Sequence, residues 1–423
     1  MNNISKPTDW KTVAFETLVA DTQLGTTERG EEDGDSNIDL IKMGNLKWGG
    51  LALADVERVA VRKMNGQVGL LQAGDLLFNT RNSADLVGKS AIWRDSESPA
   101  THDNNINRIR LRDYAHSEFY GAYLSTGTGK KNVQSLAVGS TSVAAIYWKD
   151  LSKLKVPLPP LPEQRKIAEI LRTWDEAIEK LEALQKAKLR SYRALTHALV
   201  FGARQLQGFR ATDEAEQHRW FTLPASWGCR PIAKLAKEIS ERNVESEQHE
   251  VLSCSKHDGF VRSLEYFKRQ VFSADLSGYK MIWRGDFGFP SNHVEEGSIG
   301  LQNLTDIGVV SPIYTVFRFS PTKVDADFAF AVMKTGLYRH IFEISTSASV
   351  DRRGSLRWSE FAKLPFPVPP LFEQRAIVDA LQTARTGLDS VGAEIGALTR
   401  QKRGLMQKLL TGQWRVELEK ASA

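Results

Sequence analysis

The chain has 423 residues, 41% of them hydrophobic and 25% charged, enough for two or three globular domains with full cores. It has no run of eighteen apolar residues, and Met1 to Pro7 contain no apolar signal core, which excludes a transmembrane helix and points to the cytoplasm. Two cysteines, Cys229 and Cys254, cannot build a disulfide framework, and a net charge of +5 permits nucleic-acid binding without requiring it.

Residues 1 to about 155 read as a mixed α/β domain. Pro7-x-x-Trp10 with Leu18 opens it, and Glu28 to Asp35 read as an acidic, Gly-punctuated loop. Strands are expected at Ile38 to Met43, at Leu76 to Phe78 after a Gly74-Asp75 turn, and at Asn107 to Arg112, where Arg108, Arg110 and Arg112 share one face. Glu118 to Leu124 suit a short helix, and Ser125 to Lys131 a basic, flexible loop.

Next comes a Pro-rich connector, Val156 to Pro162, containing Pro159-Pro160-Leu161-Pro162-Glu163-Gln164-Arg165. Proline fixes φ and bars a helical residue before it, so the connector should be stiff and should aim the helix beyond it. Glu163 and Gln164 suit a helical first turn, where a carboxylate meets the positive end of the dipole. A helix of about 39 residues, roughly 58 Å long, then runs to Gly202.

The same plan recurs. Pro369-Pro370-Leu371-Phe372-Glu373-Gln374-Arg375 opens a second helix ending at Gly412, at a constant offset of 210 residues from the first. Pro224-x-x-Trp227 with Leu235 repeats the opening landmark, and Gly285-Asp286-Phe287-Gly288-Phe289 repeats the turn and strand. The globular parts otherwise differ in most residues. Two related scaffolds therefore carry two different surfaces.

Heptad spacing places Ile167, Leu171, Trp174, Ile178, Leu181, Tyr192, Leu195 and Leu199 on one stripe, interrupted by Gln185 and Lys188. The second stripe runs Ile377, Leu381, Ala384, Leu388, Val391, Ile395, Leu398, Leu405, Leu409, broken at Lys402. A lone helix would leave such a stripe wet, so the two helices should pair as a coiled coil. A parallel pairing would bring both heads to one end, and the antiparallel pairing, with a pseudo-twofold axis relating the duplicated units, is the one expected. The expected fold class is α+β (mixed α/β), two globes in pseudo-twofold arrangement joined by two long helices. Domain limits are expected at 1–155, 156–215, 216–365 and 366–423.

No catalytic signature holds. Gly127-x-Gly129-Lys130 lacks the earlier glycine and the following Ser or Thr of a phosphate loop. Cys254-x-x-His257 with His249 lacks a second ligand pair for zinc. There is no nucleophile elbow and no glycine-rich cofactor turn. What remains is recognition chemistry, since Arg and Asn read base edges while Lys mostly meets phosphate. In the first globe the candidates are Asn79, Arg81, Asn82, Lys89, Lys130 and Lys131, and in the second Arg262, Asn292, His293, Arg352 and Arg353, with Lys268 and Arg269 close by.

The paired Pro-Pro-Leu-x-Glu-Gln-Arg openings, each after a globe and before a heptad helix, resemble those of specificity subunits of type I restriction–modification enzymes. Gly74 to Phe78, Val87 to Ser90 and Gly308 to Tyr314 resemble that family's target-recognition domains. The resemblance implies a non-catalytic chain whose two heads each read half of a bipartite DNA site. It implies no cofactor on this chain, S-adenosylmethionine in two modification subunits, and ATP and magnesium in two restriction subunits. Packing of the spacer coil and partner docking are expected on the helices, at Glu163, Gln164, Arg165, Ile167, Leu171, Trp174 and Ile178, and at Glu373, Gln374, Arg375, Ile377, Leu381 and Leu388. A duplicated coiled-coil adaptor whose heads bind protein or RNA is the alternative.

Overall fold

The computed structural model describes residues 10–31, 36–64, 69–94, 99–209, 214–256, 259–346 and 355–418. They form two compact units, one of residues 1–182 and 393–423, the other of residues 183–392. Each unit holds one head and half of each long helix.

In the first unit a four-stranded antiparallel sheet runs in the order Val19–Leu24, Ile106–Leu111, Leu76–Asn79, Ser90–Ile92. In the second unit the order is Ala236–Ile239, Tyr314–Phe319, Phe287–Pro290, Gly300–Leu301. The two sheets use corresponding segments in the same order, which is the duplication expressed as topology. Each Gly-Asp turn works the same way. Gly74 and Gly285 are left-handed, at φ +94° and +88°. The Asp that comes after is buried and accepts from a backbone N–H of its own turn: Gln72 N to Asp75 at 2.9 Å, Trp283 N to Asp286 at 2.8 Å. An arginine on the adjacent strand completes each turn, Arg110 on Asp75 and Arg318 on Asp286.

Two of the three arginines expected on one strand face are therefore engaged within the fold. Arg110 is held by Asp75, and Arg108 is 4% exposed and donates to Asp21 and Gln23. The basic loop at Ser125 to Lys131 is corrected. Helices Ser117–Ser125 and Gly127–Gln134 meet there, and a Cβ on Gly129 would fall 2.0 Å from the Tyr123 carbonyl oxygen. Gly129 serves a close helix–helix approach. Of the acidic loop, residues 32–35 lie outside the described residues, as does His257 of the zinc reading. Burial pushes the Cys254 thiol up to about 12.

The connectors are strands. Lys155–Leu158 pairs antiparallel with Lys11–Ala14, and Pro365–Val368 with Gly228–Pro231. A two-stranded ribbon has edges on which proline's missing donor is tolerated. Each ribbon ties the start of a head to the chain leaving it. The long helices come immediately after, Leu161–Val200 and Leu371–Leu409. Both end as the glycines foretell, Gly202 at φ +69° and Gly412 at φ +70°. Arg204 N reaches back to Ala198 O at 3.0 Å and Trp414 N to Lys408 O at 3.2 Å, satisfying terminal carbonyls.

Helix direction is fixed inside each unit. In the first, Ile167 and Leu171 from the start of one helix share a core with Leu409 and Leu410 from the end of the other, and Asp175 pairs with Lys402. In the second, Leu199 and Val200 share a core with Ile377, Val378 and Leu381. The pairing is antiparallel in both. The stripe's polar breaks have partners of their own. Gln185 lies against Gly392 and Lys188 against Gly387, so a large polar side chain meets a residue with none.

Candidate nucleic-acid interface

Each head is fastened to its helix by the two polar residues of the repeated motif. Gln164 is fully buried. Its Oε1 accepts from His116 N at 2.7 Å, and its Nε2 donates to Tyr114 O at 3.1 Å and Pro159 O at 2.8 Å. Gln374, equally buried, accepts from Asp325 N at 2.7 Å and donates to Lys323 O at 3.0 Å and Pro369 O at 2.8 Å. One amide thus satisfies three backbone groups, from the connector and from the turn before Ser117–Ser125 in one head and Ala326–Met333 in the other. Left unpaired, buried groups of that kind cost about 1–3 kcal/mol each.

The glutamates hold the tryptophans. Trp10 Nε1 donates to Glu163 at 3.0 Å, and Trp227 Nε1 to Glu373 at 3.1 Å. Glu163 also takes both Nε and Nη2 of Arg415, the latter at 2.8 Å. Among the described residues Glu373 forms no salt bridge. Burial raises its carboxyl above the ordinary range, with the Trp227 bond pulling the other way.

These contacts correct part of the docking expectation. Glu163, Gln164, Glu373 and Gln374 are between 0% and 6% exposed and are occupied by their own chain. Ile167, Leu171, Ile377, Leu381 and Leu388 are buried, while Trp174 and Ile178 are half-buried along the helix. Arg165 and Arg375 are exposed at matching positions of the two motifs, so they remain available to a partner. A sequence signal for the anchor existed that local reading did not use. Pro-x-x-Trp recurs before each head, and a tryptophan repeated with the motif implies a contact with it.

The proposed base-reading residues divide by burial. Asn79 is fully buried; it donates to Arg81 O and Asn105 O and accepts from Asn82. Lys89 is 6% exposed, its ammonium sits on Met43 O at 3.0 Å, and burial lowers its pKa. Neither can reach a duplex, and both shape the turn that carries Arg81. Asn82 spends its amide on Asn79 and on Ser83 N. Lys130 lies 4.0 Å above the Trp48 ring, and its pKa falls through burial. Arg81 and Lys131 are exposed.

In the second head Arg262 contacts Glu250 at 3.6 Å and Glu265 at 4.0 Å. His293 is exposed and faces Glu296 at 3.5 Å. Asn292 is half-buried, and its Oδ1 has no partner among the described residues. Arg352 and Arg353 lie outside the described residues.

A duplicated recognition scaffold on paired helices is the class of protein that this geometry defines. The sequence model of the type I restriction modification DNA specificity domain matches residues 70–189. A putative type I restriction enzyme MjaX specificity subunit of Methanocaldococcus jannaschii is 22% identical over 97% of this chain and 95% of its own. The MjaVIII specificity subunit of the same organism is 24% identical over 66% of each chain. In fold, the S subunit of M. genitalium aligns over 99% of this chain and 98% of its own, with a TM-score of 0.53 at 15% identity. A chain from a structure of complex assembly and conformational transition in the type I R-M system aligns over 97% and 100%, with a TM-score of 0.56 at 15% identity. The chain thus matches the type I restriction modification DNA specificity domain over residues 70–189 and is similar over nearly its whole length to a type I restriction enzyme specificity subunit.

Proposed function

We propose that this chain gives a type I restriction–modification complex its DNA sequence specificity, with residues 1–155 reading the 5′ half of a bipartite site and residues 216–365 the 3′ half. One observation carries the reading. The same head scaffold is fastened twice, by the same glutamine, to antiparallel helices, while the surfaces of the two heads differ. Two unlike readers on one frame specify an asymmetric site, whereas a symmetric pair would specify a palindrome. Arg81, Lys131, Asn292 and His293, with Arg262 once its acidic neighbours give way, are the candidate contacts, each mismatched pair costing about 1–3 kcal/mol.

As a specificity subunit the chain is not itself the enzyme and holds no catalytic cofactor. In the proposed complex two modification subunits bring S-adenosylmethionine for adenine methylation, and two restriction subunits bring ATP and magnesium. They dock along the helices, where Arg165 and Arg375 are exposed. No described helix is long and apolar enough to cross a membrane, and the cytoplasm is the proposed site of action.

The helix pair sets the spacing between half-sites. Seven residues inserted in register into each helix lengthen the pair by about 10 Å. That is roughly three base pairs. Mapping of methylated adenines should show a spacer longer by that amount with both half-sites unchanged. An unchanged spacer would overturn the helical ruler. Replacing residues 216–365 with the head of a relative should alter only the 3′ half-site, and altered methylation in both halves would overturn the assignment.

A further inference from the structure

The second head ends in a ridge whose aromatic pair has no counterpart among the described residues of the first. Its outer sheet sets Gly259–Arg262, Glu250–Ser255, Ile307–Val310 and Lys280–Trp283 side by side. The register puts Arg262 beside Leu252 and Trp283 beside Ile307, gathering Arg262, Glu250 and Ile307 at one end. From there the chain enters a one-turn helix, Ser263–Phe267, closed by Lys268 in the left-handed region at φ +55°. Ser263 is buried, but Leu264 is 52% exposed, Tyr266 53% and Phe267 42%. The Tyr266 and Phe267 rings meet edge to face at 4.9 Å and brace each other.

Clustered exposed apolar side chains of this size ordinarily mark a surface that something covers. The charge around them says what. Arg262 is engaged by Glu250 and Glu265, and Arg284 by Asp306 at 3.0 Å. Lys268 and Arg269 are exposed and have no acidic partner among the described residues. Aromatic rings flanked by unpaired cations fit a nucleic acid, whose bases and phosphates need both.

Uniqueness points the same way. Modification subunits present in two copies need a docking surface that occurs twice. In the first head the parallel pair Asp39–Ile41 with Ala100–His102 matches Glu250–Val251 with Gly308–Val309. There Glu57–Ala60 takes the place of Gly259–Arg262, and the chain leaves it through a short helical turn, Val61–Met64, that contains no aromatic residue. A feature present in one head only belongs to the partner that differs between heads, which is the DNA sequence.

We propose that this ridge meets double-stranded DNA beside the half-site read by residues 216–365. Tyr266 and Phe267 press on a base-pair step, and Lys268 and Arg269 sit on the flanking phosphates. The second head then selects sequence partly by how easily a step unstacks, at positions where no base edge is touched. This inference rests on the recognition role proposed above.

The test uses the complex of the full chain with its methyltransferase subunits and duplexes carrying 2-aminopurine at successive positions flanking the 3′ half-site. With the native chain, fluorescence should rise at one step on binding. Tyr266→Ala and Phe267→Ala should abolish that rise and weaken specific binding about tenfold, with assembly unchanged. Arg269→Ala should leave the rise in place and reduce the salt dependence of binding by about one phosphate contact. Unchanged fluorescence and affinity in both aromatic variants would overturn the ridge's role while leaving sequence-specific methylation standing. Loss of the methyltransferase subunits from either variant would make the ridge a protein contact and overturn it equally. If the native complex shows no sequence-specific binding, the recognition role fails and takes this inference with it.

Discussion

The two motif copies fasten their heads with matching glutamines but set matching glutamates in different electrostatic surroundings. Glu163 has a guanidinium from the chain's last segment, Arg415, and Glu373 has none among the described residues. At the position offset from Arg415 by the length of the repeat stands Gln205. Duplication has therefore kept the part that satisfies backbone hydrogen bonds and let the charge pairing drift. The physical reason is the asymmetry between the two interactions. An unpaired buried backbone group has no cheap alternative, whereas a buried carboxylate can lose its cation and shift its protonation instead.

The largest effect should be common to both copies. Gln164→Ala and Gln374→Ala each strand one backbone N–H and two carbonyls, at a cost of about 3–5 kcal/mol for the unit concerned. Hydrogen exchange should report it as lost protection confined to one unit, at His116 in the first case and Asp325 in the second. Equal loss in both units from a single substitution would mean that the staples act through something other than the local contacts described.

The glutamates should then separate the copies. Glu163→Gln removes the charge that Arg415 pairs with. Arg415 is 41% exposed in its side chain, so solvent takes up part of the loss. A cost of about 1.5–3 kcal/mol is expected. Glu373→Gln keeps an oxygen for Trp227 and removes a carboxylate that burial already disfavours, so stability at neutral pH should stay within about 0.5 kcal/mol or rise. The pH dependence is opposite in sign to that of a salt-bridged carboxylate. With its folded pKa raised, Glu373 contributes stability below its unfolded pKa, and this is lost as pH rises through the folded value. Thermal unfolding of Glu373→Gln should lose that acid-side gain. If both glutamine variants destabilise equally, the difference in charge pairing has no energetic weight.

His102 supplies a pH test belonging to the first head alone. It is fully buried, its Nε2–H donates to Gln23 O at 3.1 Å, and burial lowers its pKa to about 4. The unfolded chain binds a proton at this residue near pH 6.5, which the folded one resists down to about 4. Stability of the first head should therefore fall as pH drops through that window. His102→Gln should flatten the fall, read by hydrogen exchange in the first unit.

The frame was legible in the sequence because its signals are local. Glycine at each helix end, proline in each connector and the heptad stripe all act over a few residues, and Gly202 and Gly412 adopt the left-handed geometry expected of them. Glu163 and Gln164 were legible as a helix opening, but their tertiary partners were not, since Trp10 and Arg415 lie far away in sequence. The base-reading set was the least legible part. Asn79 and Lys89 have the right chemistry, and only the folded sheet reveals that they face inward. Tyr266 and Phe267 were missed for the opposite reason, since aromatic residues in a mixed domain are expected in a core and these are not.

The smallest expected effects concern the helix pair, where two kinds of polar interruption can be compared. Asp175 with Lys402 is an ion pair, and Gln185 against Gly392 is a fit of size to space. Asp175 is 55% exposed, so Lys402→Ala should cost only about 0.5 kcal/mol, and high salt should erase much of the difference. Gly392 costs the second helix about 0.5–1 kcal/mol relative to alanine. A Cβ there would stand 2.9 Å from Gln185 Nε2, the movable end of a flexible side chain. Gly392→Ala should therefore be close to neutral alone, the helical gain being offset by displacing Gln185. Combined with Gln185→Ala it should stabilise by up to about 1 kcal/mol, and the coupling between the two sites is the quantity to measure. Simple additivity would show that Gln185 has no seat on Gly392, leaving the ion pair as the polar interruption with an energetic role.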